Sequence, residues 1–518
     1  MAYAISRPVL LAAVLLPGVV ACAGPIDVGS RRQLFIDKRF MQQDRGITLQ
    51  VHQPVKTGET TINSEPGFSI GGYNTVIERD GLYRMWYSGG PGVLYAVSRD
   101  GIHWEKPALN LTTGETRRPN NVVLGDGAGG VAGSVHGLMV FVDPTAPEGQ
   151  KFRLVTNPRQ FHSMLQIFSS PDGIHWKHTH RDVLVFDAST KPHHLDSQNV
   201  VFWDERIGKY VVYFRRNLRV RNSQGRSVAR AEGKTLSFGN VLNWPPVFRA
   251  DEMSPGHYDP QRRMETADLD VYTNGAIAYP WAEDAYFMFP TLYYHYGSWQ
   301  TEFRDQAPVN AGIIDVRFAS SRDGISWNTY DWRPFVPLGM SGDFDFRRIY
   351  MAYGIVPARN GREMYMYYMG TNETHGWGRD DRNNRILTAA GLAPQGERRM
   401  ISRVVLRRDG FVSARAGREG GEFTTPALNF RGNQLVLNVD TSAAGEVRVE
   451  VQDIEGKPIP GFTLAEADLI HSANDVNRAV TWNRASTLEK LAGKAVRLHF
   501  VLRDADVYAF EFRERPAL

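Results

Sequence analysis

The 518-residue chain has one cysteine, Cys22, so no intrachain disulfide framework can hold it together. It also lacks a basic block. Lys and Arg number 60 against 56 Asp and Glu, a formal net charge of +4, which gives no electrostatic footprint for nucleic acid. Past the N-terminus no stretch shows long helical periodicity, and no C-x-x-C spacing marks a metal site. What is abundant is turn-forming and aromatic: 49 Gly, 28 Pro and 11% aromatics, a composition that fits a turn-rich all-β chain. With 42% hydrophobic residues a chain of this length can bury more than one core.

One motif repeats. Ser98-Arg99-Asp100-Gly101-Ile102-His103-Trp104 returns as Ser170-Pro171-Asp172-Gly173-Ile174-His175-Trp176 and as Ser321-Arg322-Asp323-Gly324-Ile325-Ser326-Trp327. The third copy follows the second by about twice the first interval. A degraded copy is therefore expected between them, at Ser237-Phe238-Gly239-Asn240 with Trp244, and a further period reaches Arg408-Asp409-Gly410-Phe411-Val412. In the motif an Asp carboxylate accepts backbone N–H bonds, Gly supplies a positive φ, and Trp packs between neighbouring units. The first unit reads as four strands: Tyr73 to Glu78, Leu82 to Tyr87, Val93 to Val97 and His103 to Glu105, with Asp80-Gly81 and Asp100-Gly101 as turns. Five such units predict a five-bladed β-propeller over residues 33–417. Leu34-Phe35-Ile36-Asp37 is expected to close the ring against the last blade. Past Gly417 the motif is absent and short alternating strands follow (Gln434–Val439, Glu446–Val451, Val496–Leu502, Val507–Phe512), predicting a β-sandwich over 418–518 that braces the propeller.

At the N-terminus Arg7 precedes the apolar run Val9 to Val20, the pattern of a signal peptide over residues 1–23 and too short to span a membrane. Val19-Val20-Ala21-Cys22 matches a bacterial lipoprotein box. The expectation is an exported protein, periplasmic, outer-membrane or secreted, whose membrane contact is an acyl chain on Cys22.

In a propeller the functional site usually lies at one mouth of the axis, by analogy with the architecture. The starts of the innermost strands offer Tyr73 and Asn74, Ser134 and His136, Asp196 with Gln198 and Asn199, then Glu265, Asp268, Asp270 and Tyr272, and finally Arg347 and Arg348. Acid–base bond cleavage at such a ring needs two carboxyls, one protonated as acid and one ionised as nucleophile or base. Asp196, Asp270 and Glu265 are the catalytic candidates, with Arg348 or His136 placed to hold one of them ionised. Tyr73, Asn74, His136, His194, Arg348 and His375 are the candidate substrate contacts. Trp281, Trp299 and Trp377 are aromatic enough to stack on sugars, though core packing explains each. Tyr73 with His136 also suits the base of a lyase, whereas no Gly-rich phosphate loop supports a phosphorylase.

With these turns, five units and a trailing sandwich, the chain resembles the five-bladed propeller glycoside hydrolases of families 32, 43, 68 and 117. It is similar also to uncharacterised exported bacterial proteins that share the runs L-F-I-D (34–37), V-Y-T-N (271–274), R-D-G-I-S-W (322–327) and D-G-F-V-S (409–413). The resemblance implies a carbohydrate substrate and acidic residues on the inner strands of three blades. It implies no cofactor beyond a structural calcium or water on the axis near His375 or His136. The family 32 W-N-D-P-N-G box is absent: Tyr73-Asn74 stands where those enzymes carry an Asp, and Val142-Asp143-Pro144 matches their R-D-P only in part. A surface propeller that binds glycan without cleaving it is the non-enzymatic alternative.

Overall fold

The computed structural model describes residues 24–514 except 66–67, 91, 112–119, 126–134, 158–163, 187–194, 221–222, 251–268, 297–307, 309, 332 and 485–486. The expected signal peptide with Cys22, and the candidates Ser134, His194, Glu265 and Asp268, with Trp299, lie outside the described residues. The described chain is almost all β, with one α-helix at Asp381–Ala389. Its sheets form a propeller-like array followed by a sandwich-like C-terminal region.

Three propeller sheets are four-stranded antiparallel meanders in sequence order. The first is Ile70–Arg79, Leu82–Gly89, Gly92–Ser98 and Val122–Gly125, and the second is His136–Val142, Phe152–Asn157, Met164–Ser170 and Lys177–Val185. The third is Val200–Asp204, Lys209–Val220, Ser223–Gly233 and Pro246–Phe248. In the first, the outermost strand is Val122–Gly125 and not the expected His103 to Glu105, where Glu105 makes a single bridge to Val97.

The expected fourth and fifth units are not separate. Leu269–Thr273, Thr291–His295 and Gly312–Val316 continue through one parallel bridge, Ile314 to Arg348, into Arg348–Met351, Glu363–Thr371, Arg399–Arg407 and Val55–Asn63. The propeller region thus has four hydrogen-bonded sheets where five were expected, apart from one small satellite. The cause is local. Each strand of the fourth unit breaks in the middle, at Gly275 (φ +56°), at Pro290 and at Arg317-Phe318. Pro290 has no N–H to continue the ladder; its carbonyl accepts from the Arg317 N–H instead. The outer halves, Ile277–Ala278, Tyr286–Met288 and Ala319–Ser321, form the separate three-stranded sheet.

Ring closure also differs from expectation. Val55–Asn63 pairs with Arg399–Arg407 as the outermost strand of the last unit. Gln33–Leu34 pairs instead with Arg497–Arg513 in the C-terminal sheet. Ile26–Gly29, Gln43–Arg45 and Ile47–Val51 likewise pair with Leu428–Phe430, Gly421–Thr424 and Val412–Ala416. The sandwich-like region is therefore woven from both ends of the chain, around a core in which Phe35, Phe40, Phe423, Phe500 and Phe510 are buried. It grips the propeller through charge pairs: Arg322 of the third motif copy meets Asp37 at 3.0 Å, and Arg32 meets Asp409 at 2.5 Å.

The repeated motif is a joint between units. Asp100 Oδ1 accepts from the Ile102 and His103 N–H groups at 2.8 Å each, and Asp172 and Asp323 do the same in their copies. The Gly carbonyl of each turn is then capped by a ring from the second strand of the preceding unit. Tyr367 donates to Gly101 O, Trp86 to Gly173 O and Tyr213 to Gly324 O, at 2.6–2.7 Å. The motif Trp packs on the same neighbour: Trp104 stands edge-on to Tyr367 at 5.6 Å and Trp327 to Tyr213 at 6.0 Å. Asp409 is held by the Tyr279 hydroxyl at 2.6 Å. The degraded copy uses backbone instead, Phe238 N–H to Val183 O and Val185 N–H to Gly239 O.

Candidate functional site

Inner strands of several units touch near the axis. Gln198 Nε2 donates to the carbonyls of Asn74 and Leu138 at 3.1 and 2.8 Å, and Thr75 Oγ1 accepts from the Val140 N–H. Asn74 serves the backbone. Its amide donates to Gly71 O and accepts from the Ser88 N–H, and the residue is fully buried. The side chain proposed from sequence as a sugar contact is consumed in shaping its own strand. Asn199 does the same job, donating to Leu195 O and Ser197 O and accepting from the Arg215 N–H.

The other candidates among the described residues meet in one continuous cluster. The Tyr73 ring stands edge-on to His136 at 5.1 Å, and His136 Nε2 hydrogen-bonds Asp196 Oδ1. The Asp196 carbonyl accepts from Arg215 Nη1 at 2.7 Å, while Arg215 Nε donates to Asn217 Oδ1 at 2.8 Å. Arg215 and Arg226 come from a long hairpin in which Asn217 lies opposite Arg226. The Arg226 guanidinium lies over the rings of Tyr272 (4.7 Å) and Tyr293 (5.3 Å), its Nη1 3.7 Å from Asp270 Oδ1. Asp270 Oδ2 accepts from His295 Nε2 at 3.0 Å. On the far side, Tyr272 and Tyr293 hydroxyls each lie 3.1 Å from a ring nitrogen of His375, and Tyr272 packs edge-on to Tyr350. Gly72 lets the Tyr350 ring come close, since a Cβ there would stand 3.0 Å from it. Arg348, its cation over Tyr350, shares the fully buried Glu373 with Arg399, which grips both carboxylate oxygens at 3.1 and 2.6 Å.

The electrostatics separate the acids. Burial pushes the Asp270 carboxyl up, but Arg226, the His295 hydrogen bond and the nearby Arg215 charge outweigh it, and the group is held below the usual carboxylate range. Asp196 sits nearer solvent, with about a third of its side chain exposed. The charges of both carboxylates act on both Arg215 and Arg226. Burial, aided by neighbouring phenols and Asp196, lifts Tyr73 well above its ordinary value.

His375 is the clearest case of a neutral group. Its Nδ1 faces the Asn310 carbonyl at 2.7 Å, which can only accept, so Nδ1 carries the proton and Nε2 accepts from Tyr272. Burial, with Arg348 and Arg226 close by, pushes its pKa down to about 3. A lowered folded pKa means that the unfolded chain binds the proton more readily, so stability is lost as pH falls below the free imidazole value of about 6.5. An NMR titration is expected to find His375 neutral through that range; protonation near about 6.5 would show the ring to be solvated.

Trp281 packs on Tyr279 and under Arg408, and Trp377 on the small core around Leu387, so neither is at the cluster. Among the described residues no group of three His, Cys, Asp or Glu could hold a metal ion. Reading only the starts of inner strands missed Arg215, Arg226, Tyr293, His295 and Glu373. They lie on second and third strands or just past them, which a reading of strand starts does not reach.

No family model matches the chain, and no curated protein matches it. Among solved structures it is similar to a thermostable family-43 glycoside hydrolase, at 13% identity and TM-score 0.44, covering 69% of this chain and 94% of that one. An N-acetylgalactosamine deacetylase from F. plautii aligns at 13% identity and TM-score 0.39 over 70% of this chain and 96% of that one. An exo-β-1,3-galactanase from Phanerochaete chrysosporium aligns at 11% identity and TM-score 0.33 over 90% and 100%. Identities and TM-scores are low throughout, so neither an activity nor a residue role passes from these proteins to this chain.

Proposed function

We propose that the protein is an exported glycoside hydrolase-like enzyme that cleaves a glycosidic bond in a poly- or oligosaccharide at this cluster. The observation that carries the reading is the pair Asp196 and Asp270, contributed by neighbouring units, acting on the same two arginines and set in unequal surroundings. Pairs of titratable groups whose environments differ are how one site obtains an acid and a base. Asp270, kept ionised by Arg226 and His295, takes the role of base or nucleophile. Asp196 takes the role of acid, hydrogen-bonded to His136. Tyr73 and Arg348 position the sugar, with His375 holding Tyr272 behind them, the sandwich-like region braces the propeller, and Cys22 carries the acyl anchor.

A panel of aryl glycosides and plant and algal polysaccharides tests this with the wild type and Asp196→Asn. Turnover is expected to fall by about 100-fold or more, the usual loss for an acid–base group, with little change in melting temperature. Full activity in Asp196→Asn would remove Asp196 from the chemistry. A polysaccharide lyase is the second reading, favoured by the contact of Tyr73 with His136, a phenol and an imidazole at one place. Product analysis separates the two: an unsaturated sugar with new ultraviolet absorbance marks elimination, and a saturated reducing end marks hydrolysis. Binding without turnover on any glycan would leave a glycan-binding propeller.

A further inference from the structure

We infer that the saccharide received at this cluster carries an anionic substituent, a uronate carboxylate or a sulfate ester, held by Arg215 and Arg226. The inference rests on the reading of the cluster as a saccharide site and names the class of sugar.

The buried charges of the cluster are unequally paired. Glu373 is shared by Arg348 and Arg399. Asp315 is matched by Arg317 at 2.9 Å and Asp270 by Arg226 at 3.7 Å, while His136 and His295 hydrogen-bond Asp196 and Asp270. Arg215 has no ion pair of its own among the described residues. Its two hydrogen bonds go to neutral oxygens, the Asn217 amide and the Asp196 carbonyl, and no carboxylate among the described residues stands within ion-pair distance. A guanidinium withdrawn from water beside a second one is costly unless an anion joins them, and burial with Arg226 alongside pushes Arg215 down to about 10.

Arg226 points the same way. Its Nη1 is buried without a hydrogen-bond partner, as is Asp270 Oδ1 at 3.7 Å, and Arg348 Nε is a third buried polar atom in that condition. The rings of Tyr272 and Tyr293 fix the guanidinium by its face, which leaves its N–H edge for a planar or tetrahedral oxyanion. A neutral hydroxyl can satisfy one donor but cannot pair with the Arg215 charge. A sugar ring bearing an anion supplies both: oxygens for Arg215 and Arg226, and a hydroxyl to donate to Asp270 Oδ1.

The test is calorimetric titration and thermal shift of the full-length protein with D-glucuronate, D-galacturonate and galactose 6-sulfate, against D-glucose and D-galactose. The acidic sugars are expected to bind about tenfold or more tightly than their neutral counterparts, with affinity falling as salt rises. The uronate and sulfate arms say which anion is meant. Arg215→Gln is expected to abolish the preference and Arg215→Lys to keep part of it. The wild-type comparison and its salt dependence need no variant, so a misfolded substitution does not decide the matter. Equal affinity for acidic and neutral sugars, no binding of any acidic probe, or a preference that survives in Arg215→Gln overturns the inference. Cleavage of a neutral glycan with no acidic preference overturns it too while leaving the hydrolase reading intact. Acidic-sugar binding with no bond cleaved supports it and removes the enzyme.

Discussion

Trp86→Ala is expected to destabilise the protein by about 3–5 kcal/mol, the range for deleting a fully buried aromatic and leaving its cavity. Trp86 is wholly buried, packs against Tyr95 and Phe152, and donates its indole N–H to Gly173 O at 2.7 Å. The fit is tight enough that a Cβ on Gly173 would lie 2.5 Å from the indole ring. Truncation therefore opens a void between the first two units and strips a carbonyl of its donor, which adds about 1 kcal/mol. Chemical denaturation should show a lower midpoint with the slope retained. A loss under about 1 kcal/mol would show that the two units are joined elsewhere. The same change in the motif Trp176 should cost less, because that ring is only half-buried and its indole N–H has no partner.

This contrast marks what was legible in the sequence. The repeat announced the joints because Ser, Asp and Gly are demanded by the turn itself: the Asp takes two backbone donors, and Gly101, Gly173 and Gly324 all have φ near +75°. The rings that cap those turns, Trp86, Tyr213 and Tyr367, come from other units; each is the fifth residue of its strand and is followed by a second aromatic, a pattern that lies outside the repeated motif. Sheet membership was hidden for a related reason. Whether Leu34 pairs with the last blade or with Ala509 is a choice between distant partners of equal local propensity, and β-propensity does not distinguish them. The fourth and fifth units join through the Ile314–Arg348 bridge, and the outer halves of the fourth split off at Pro290 and Gly275, breakers that the motif does not contain. At the site, inner-strand position found Asp196, Asp270, Tyr73, His136 and Arg348. Arg215 and Arg226 reach the same place from a hairpin extended past its unit, which strand order alone does not show.

A loss of both activity and stability is expected from Asp270→Asn. The amide keeps the shape and can still bond His295, but it no longer balances Arg226. If Asp270 is the ionised partner in bond cleavage, turnover per folded molecule should fall by about 100-fold or more. Stability should fall as well, by about 3–5 kcal/mol at neutral pH, because removing one member of a buried pair strands the other charge. The pH dependence separates this from a simple packing defect. The folded pKa of Asp270 is depressed, so its contribution is complete above the unfolded value of about 3.9 and disappears as pH falls through the lower folded value. Wild type and Asp270→Asn should therefore differ most in melting temperature at neutral pH and converge in acid. A gap that stays constant down to the lowest pH at which both remain folded would mean that the carboxylate charge is not what holds Arg226. Full turnover alongside a converging gap would make Asp270 a structural counter-ion and leave Asp196 without its partner.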